Sequence, residues 1–317
     1  MLNGNMTTVC YLDTLPYLHK GRAVALGFFD GIHAGHKQII RQTVKTAALE
    51  DMTSTVMTFV NFEKNPGLLT TVEEKRLLLS DIGVDELLVL DFKAVKDMSA
   101  EDFLDEIVNM KLSARALFAG SDFRFGKDAV GDTDLLKEYG ARKGIDIQIF
   151  DDKVFGQEGR RISSTWLREA LNDGDAELYK DLCGGTCFSY SGAVIHGNEL
   201  GRKLGFPTAN IVIPEDKLIV KNGVYVSCVH LGSRVLYGVT NVGPKPTVQS
   251  EELIPLVETN IFGFDEDIYG ARIRVDLLSF LRPVCKFGSV DELAAQVNAD
   301  KEQAKTWLQK SGIILPV

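Results

Sequence analysis

In the first half of the chain, short apolar runs alternate with stretches whose apolar residues recur every three to four positions. The runs RAVALGFF (22–29), STVMTFV (54–60), DELLVLDF (85–92), ARALFAG (114–120) and IDIQIFD (145–151) predict buried strands. Between them, HKQIIRQTVKTAALED (36–51), VEEKRLLLSDIG (72–83), SAEDFLDEIVNMKL (99–112) and TDLLKEYGARKG (133–144) predict helices. The third of these opens with a Ser-x-x-Asp capping pattern, and the second is closed by Gly83. Strand and helix in regular alternation predict a parallel sheet with helices on both faces.

From about residue 187 the pattern changes. SGAVIHG (191–197), GVYVSCVHLG (223–232), RVLYGVTNVG (234–243) and ARIRVDLLSF (271–280) are short, β-rich and separated by Gly and Pro. Polar and apolar residues alternate strictly from Arg272 to Leu277, as on a strand with one wet face. Several such strands predict an antiparallel sheet or barrel. SVDELAAQVNADKEQAKTWLQKSG (289–312) has helical period and closes at Gly312. The predicted domains are 1–184 and 185–317, with the boundary at Gly184-Gly185; a length of 317 residues accommodates two cores.

The net charge of −9, from 35 basic and 44 acidic residues, argues against a nucleic-acid partner, which needs a basic surface. No run approaches the about 18 apolar residues of a membrane span, and the first residues lack the apolar core of a signal peptide. Five cysteines, Cys10, Cys183, Cys187, Cys228 and Cys285, are too few and too scattered for a disulfide framework or a sequence-defined zinc site. They suit reduced thiols in the cytoplasm.

Five strings carry candidate chemistry. Gly27-Phe28-Phe29-Asp30-Gly31-Ile32-His33-Ala34-Gly35-His36 joins a strand to a helix, where free N–H groups favour an anion. His33 and His36 are three apart and share one face, and Gly31 and Gly35 let the backbone approach a phosphate closely. In Ile162-Ser163-Ser164-Thr165-Trp166-Leu167-Arg168, Ser164 or Thr165 is expected to cap a helix ending near Gly174, and the hydroxyls and Arg168 are candidates to hold phosphates. Gly120-Ser121-Asp122-Phe123-Arg124-Phe125-Gly126 follows a strand at the sheet's carboxyl edge. Phe123 and Phe125 are there either to stack on a flat ring or to serve as core. His196 to Asn210 has glycines at 197, 201 and 205 beside Arg202 and Lys203, a composition that suits a loop over phosphates. Thr208 and Asn210 add neutral oxygen ligands for a hard cation such as Mg²⁺. Glu258, in Val257-Glu258-Thr259-Asn260, is a candidate base, although an isolated strand carboxylate is usually a solvated side chain.

Taken together and in this order, the strings resemble the bacterial bifunctional riboflavin kinase/FMN adenylyltransferase (FAD synthetase) family over nearly the whole chain. The NGVY turn, Asn241-Val242-Gly243 with Pro246-Thr247, and DIYG (267–270) add to the match. The resemblance implies a Rossmann-like nucleotidyltransferase domain followed by an antiparallel β-barrel with a C-terminal helix. It implies ATP as co-substrate, Mg²⁺, and riboflavin, FMN and FAD as ligands. It also implies that Glu258 is the kinase base, that Thr208 and Asn210 hold the metal, and that His33, His36, Ser164 and Arg168 stabilise the adenylyltransferase phosphates. Gly27, Phe28, Asp30, Gly31, Gly35, Ser163, Thr165, Gly197, Gly201, Arg202, Lys203 and Gly205 then belong to the nucleotide sites, and Asp122, Phe123 and Phe125 to the flavin site.

Three strings depart from the family pattern. Asn61-Phe62-Glu63 stands where Pro-His-Pro is usual, Cys183-Gly184-Gly185-Thr186-Cys187 where Leu-Gly-Arg-Pro-Tyr is usual, and Asn260 replaces the histidine of Glu-x-His. These departures leave open a chain with one working half, and a flavin binder without turnover.

Overall fold

The computed structural model describes residues 6–61, 67–151, 154, 156, 159–197, 205–246 and 253–314. Two compact units divide at Ser164/Thr165, earlier in the chain than the Gly184-Gly185 boundary read from the sequence.

The first unit is a parallel sheet of six strands: β1 (Thr8–Tyr11), β2 (Arg22–Leu26), β3 (Thr53–Val60), β4 (Glu86–Asp91), β5 (Ala114–Gly120) and β6 (Asp146–Phe150), in spatial order β1-β4-β3-β2-β5-β6. Its helices are α1 (Ala34–Leu49), α2 (Val72–Ile82), the single turn α3 (Phe92–Val95), α4 (Ala100–Asp102) and α5 (Thr133–Lys143). Successive strand residues face opposite sides, so the sheet has two cores. Val24, Leu26, Leu88, Leu90 and Leu117 pack with Leu104 and Tyr139; Ala23, Ala25, Leu87, Val89 and Phe118 pack with Ile39, Ile40 and Leu79. Burial on both faces is why these strands read as unbroken apolar runs.

The predicted elements are present with shifted ends. The 22–29 strand stops at Leu26, and by Phe29 the loop beyond it has turned into left-handed backbone. The helix predicted from His36 begins two residues earlier, at Ala34, since the His33 imidazole caps it. Gly83 and Gly144 close α2 and α5 in the left-handed region, as glycine at a helix end allows. Ser99 caps α4 through the Asp102 N–H, and the helix continues over Phe103–Lys111 with wider π-type winding; the Leu112 N–H reaches back to the Ile107 carbonyl. Strand β1, too short and polar to stand out in the sequence, is an edge strand held by β4.

The chain adds β3 and β4 to one side of β2, then returns to place β5 on the other. Loops leaving the carboxyl ends of β2 and β5 therefore diverge and leave a crevice. At the other end of β2, Arg22 is completely buried. Its guanidinium donates to Glu86 Oε2 (2.8 Å), Glu86 Oε1 (3.4 Å), the Leu112 carbonyl (3.1 Å) and the Pro16 carbonyl (2.8 Å). Thr55 Oγ1 donates to the same carboxylate at 3.0 Å.

The second unit begins with α6 (Ser164–Asp173, entered from the last residue of the first unit) and α7 (Ala176–Leu182). Six antiparallel strands follow: β7 (Phe188–Ala193), β8 (Ala209–Val212), β9 (Gly223–Leu231), β10 (Arg234–Pro246), β11 (Leu253–Ile261) and β12 (Arg272–Pro283), in order β7-β12-β9-β10-β11-β8. The 191–197 strand of the sequence reading instead spans Phe188–Ala193, and Ile195 beyond it makes a lone bridge to Asn210 that brings the two ends of the sheet together into a nearly closed barrel. Bulges after Leu277 and Phe280 bend β12 round the barrel. Helix α8 (Val290–Lys310), capped by Ser289, lays Ala304 and Leu308 on Val224, Val226 and Val239. Arg282 clamps its Asp300 with two hydrogen bonds of 2.8 and 2.7 Å.

Breaking the Arg22–Glu86 pair from one side leaves a buried charge without its partner. Glu86→Leu alone is expected to destabilise the first unit by about 3–5 kcal/mol, and Arg22→Met combined with Glu86→Leu by clearly less. Hydrogen exchange of the β2–β4 amides in urea measures this. Tryptophan fluorescence would not, because Trp166 and Trp307 both lie in the second unit. Equal losses in single and double variants would show that the pair is not coupled.

Candidate active sites

In the first unit the crevice between the β2 and β5 loops is a cleft of about 760 Å³. Its walls include Gly27, Phe28, Asp30 and His36 from the first loop, Phe59, Phe92 and Phe103, and Asp122, Phe123 and Phe125 from the loop after β5. The β2–α1 loop is held in a conformation that few residues tolerate. Phe29 (φ +48°), Gly31 (φ +83°) and Ile32 (φ +40°) are all left-handed, and a β-branched residue there is strained. Burial of Phe29 and Ile32 in the core offsets that strain, as does the Asp30 carboxylate, which accepts from the Leu69 N–H (3.0 Å), the Thr70 N–H (3.0 Å) and Thr70 Oγ1 (3.2 Å). The Gly31 N–H in turn donates to Thr70 Oγ1 at 3.1 Å. Asp30, read from the sequence as a phosphate-site residue, thus points its carboxylate into the protein's own backbone.

The two histidines stack with centroids 3.6 Å apart, and Phe29 meets His36 edge-on at 5.2 Å. The His36 backbone N–H donates to His33 Nδ1 (3.3 Å), so the neutral His33 ring carries its proton on Nε2. Burial, reinforced by the positive charge of Arg161, lowers the His33 pKa to about 4. Burial, then His33 and Lys75, hold His36 well below the ordinary imidazole range. Both rings are therefore neutral at pH 7 and offer dipoles, not charge. His36 Nδ1 is buried with no hydrogen-bond partner.

Ser164 begins α6, so the capping position falls on Ser163 and not, as the sequence suggested, on Ser164 or Thr165. The Ser164 hydroxyl donates instead to the Asp30 carbonyl at 2.9 Å, joining the two candidate strings within the first unit. Thr165 and Arg168 fall on α6 beyond the division of the units. Asp122 pairs with Arg161 at 3.0 Å. Phe125 is buried among core residues while Phe123 is half-buried, and their rings stack at 5.7 Å. Lys75 escaped the sequence reading. It is buried, its Nζ donates to the Phe28 carbonyl (2.8 Å) and Thr58 Oγ1 (2.8 Å), and it lies over the Phe28 ring at 4.5 Å. The signal available was a lysine in register with Val72 and Leu79, on the apolar stripe of α2.

In the second unit a pocket of about 180 Å³ is lined by Gly197, Thr208, Asn210, Thr259, Asp267 and Tyr269, among others. Asn210 sits at the bridge that closes the barrel, and its carbonyl accepts from the Ile195 N–H at 2.8 Å. Its amide nitrogen donates to the Thr208 carbonyl (3.2 Å) and hydroxyl (3.4 Å), which leaves Oδ1 buried and without a partner. A Cβ on Gly197 would stand 2.6 Å from that amide, so the close approach needs glycine there. Glu258 lies directly across from Asn210 on β8 and from Asn241 on β10. Cross-strand partners share a face, so the three side chains form one row. Glu258 is half-buried and is not among the walls of the pocket. Asn260, two residues on, donates from Nδ2 to the Pro207 carbonyl at 2.8 Å and so holds the strand entry that carries Thr208. His196 stacks on Tyr269 at 3.6 Å, and Gly205 is left-handed at φ +82°. Gly201, Arg202, Lys203, Thr247 and residues 62–66 lie outside the described residues.

A family model described as FAD synthetase matches residues 16–166, and one described as riboflavin kinase matches residues 184–308. Helix α7 thus lies between the two matches. A bifunctional riboflavin kinase/FMN adenylyltransferase of Escherichia coli (strain K12) is 34% identical over 90% of this chain and 92% of its own length. The protein so named from Bacillus subtilis (strain 168) is 33% identical over 89% and 90%. A solved structure described as a macrolide-efflux protein from Streptococcus pneumoniae is 32% identical, with a TM-score of 0.81 over 96% of this chain and 100% of that one. That description differs from those of the curated relatives although the fold is shared, and among the described residues of the present chain no helix is long and apolar enough to cross a membrane. With both domain types in one polypeptide, and with relatives matched along nearly their whole length, the chain belongs to the bifunctional riboflavin kinase/FMN adenylyltransferase family.

Proposed function

We propose that the two reactions of this enzyme, phosphorylation of riboflavin to FMN and adenylylation of FMN to FAD, are divided between the units, the first adenylylating and the second phosphorylating. ATP is the donor in both. Each is a transfer to phosphorus, so positioning and charge stabilisation supply most of the rate.

In the first unit the phosphates of ATP are assigned to the N-terminus of α1. Four features support that placement: the left-handed loop, the N-terminal end of a four-turn helix, the Nε2–H of His33 and the unpartnered Nδ1 of His36. Neutral histidines suit this work, because they orient the phosphates without holding the departing pyrophosphate as an ion pair. Ser164 braces the loop through the Asp30 carbonyl. Lys75 braces Phe28. The role of Arg168 in receiving pyrophosphate rests on its place in the family motif alone. The cleft's aromatic wall, Phe123 with Phe59 and Phe92, is the surface proposed for the flavin ring.

In the second unit, Glu258 is assigned as the base that takes the proton of the ribityl 5′-hydroxyl. The observation that carries the metal assignment is the buried Asn210 Oδ1, an oxygen without a partner on the amide whose nitrogen reaches the Thr208 hydroxyl. Two neutral oxygens fit Mg²⁺, which prefers few protein ligands and completes its shell with phosphate and water. Mg²⁺ at this position would neutralise charge on the transferred phosphate. Asn260 keeps Thr208 placed by hydrogen bonding alone, so the support of the site does not titrate.

Chromatography of the flavins after separate incubations with riboflavin and with FMN, each with ATP and Mg²⁺, tests the division. Glu258→Gln is expected to lower FMN formation by about 10²–10⁴-fold and leave the conversion of FMN to FAD near the wild-type rate; His36→Ala is expected to do the reverse. If either variant stops both reactions while still folded, the two-site assignment is wrong.

The buried histidine adds a stability signature. The folded pKa of His33 lies below the unfolded value near 6.5, so the unfolded chain binds more protons between the two. Stability is then full above pH 6.5 and falls as the pH drops towards 4, by about 3 kcal/mol for a shift of this size. His33→Gln should make that part of the profile shallower in urea unfolding of the first unit, the remaining slope being that of His36; an unchanged slope would mean that His33 is not buried neutral.

A further inference from the structure

Four polar side chains crowd one patch on the second unit, away from the strand that carries Asn210. Cys228 and His230 leave β9 on one face, and their cross-strand partners on β12 are Asp276 and Arg274. Strands β10 and β11 on one side, and β7 on the other, separate this patch from β8. Cys228 belongs to the apolar cluster under α8; His230, next along the same face, is half-buried. Cys228 Sγ stands 3.6 Å from His230 Nε2, and His230 Nε2 stands 2.8 Å from Asp276 Oδ2. The three atoms all lie within 4.8 Å of one another.

Arg274 occupies the remaining side. Its Nε donates to Asp276 Oδ1 (2.9 Å), and its Nη2 contacts Asp276 Oδ2 (3.4 Å) and His230 Nε2 (2.9 Å). This last contact is in conflict with its neighbour. A guanidinium only donates and a carboxylate only accepts. If Nε2 is a lone pair it suits Arg274 and faces the Asp276 oxygen lone pair to lone pair at 2.8 Å. If Nε2 carries a proton it suits Asp276 and meets an Arg274 N–H head-on. Neither tautomer satisfies both contacts. A cation held between the three ligand atoms satisfies them all, since thiolate, imidazole nitrogen and carboxylate oxygen then each direct a lone pair at it.

We propose that Cys228 Sγ, His230 Nε2 and Asp276 Oδ2 form a binding site for Zn²⁺ or a divalent ion of similar softness, with the Arg274 guanidinium as the resident cation that the metal displaces. The mixed sulfur, nitrogen and oxygen donors select zinc over magnesium, which separates this site from the oxygen-only pair Thr208 and Asn210. Arg274 is one-third exposed and can turn to solvent as the metal enters. Binding forms three metal–ligand bonds, releases the Cys228 thiol proton to solvent and leaves the fourth position to water. No electron is transferred. The bound ion would tie β9 to β12 beside α8.

Cobalt is the probe, because a thiolate ligand to Co²⁺ gives a charge-transfer band in the near ultraviolet that oxygen ligands do not give. Co²⁺ is titrated into the metal-stripped full chain without nucleotide or flavin. The expected result is a thiolate band that saturates at one equivalent and is lost when Zn²⁺ is added. Cys228→Ser should remove it, and His230→Ala should weaken binding by about tenfold or more. Arg274→Gln removes the competing charge and should tighten binding by about tenfold or more. It leaves every ligand in place, so it stays informative even if a ligand variant fails to fold by circular dichroism. The proposal is overturned if the wild type shows no thiolate band, if the band survives Cys228→Ser, or if Arg274→Gln binds no tighter.

Discussion

One buried carboxylate fixes the shape of the first unit's cleft. Asp30 accepts hydrogen bonds from the backbone of Leu69 and Thr70, and those bonds hold a loop in which Phe29, Gly31 and Ile32 are all left-handed. Without them the strain at a β-branched residue would have no offset from this side. The loop's conformation sets the position of His33, which caps that helix, and of His36, which stacks on it. Ser164 reaches the same residue from another part of the chain through the Asp30 carbonyl. A residue that resembles a ligand-binding acid in the sequence thus turns its carboxylate to the protein's own backbone, and the two histidines beside it are held neutral.

The architecture of both units was legible for physical reasons. Strands β2 to β5 are buried on both faces, so their apolar runs stand out between helices of clear 3.6-residue period, and Gly83, Gly144 and Gly312 mark ends that need left-handed backbone. What the pattern did not contain is equally definite. Strand β1 is short and half polar, α7 spans two turns, and β8 begins inside a string whose glycines and proline dominate the pattern. The start of α1 was read late because a histidine is an unusual cap, and α6 was given a cap one or two residues too far along because three hydroxyl residues stand in a row.

The site residues divide in the same way. Local strings located the cleft and the pocket, because each string supplies a strand end and the loop beyond it. Contacts between distant segments were invisible: Asp30 with Thr70, Lys75 with Phe28, and Asn260 with Pro207. The exchange of histidine for asparagine at 260 looks like a loss when residue types are compared, yet the amide has a duty of its own here, since it donates the hydrogen bond that places Thr208. The row Asn241, Glu258 and Asn210 likewise exists only once three strands are in register.

The closure of the barrel at Asn210 has a consequence for the enzyme as a thermodynamic system. One backbone bridge, Ile195 to Asn210, brings the two ends of the sheet together, and the same asparagine offers the unpartnered oxygen. Any ligand of that oxygen binds the closed seam and not an opened one. By mass action its concentration then enters the free energy of closing the barrel. The supply of such a ligand and the cohesion of the fold would then be one linked equilibrium, so an emptied seam and a loosened barrel would be the same population.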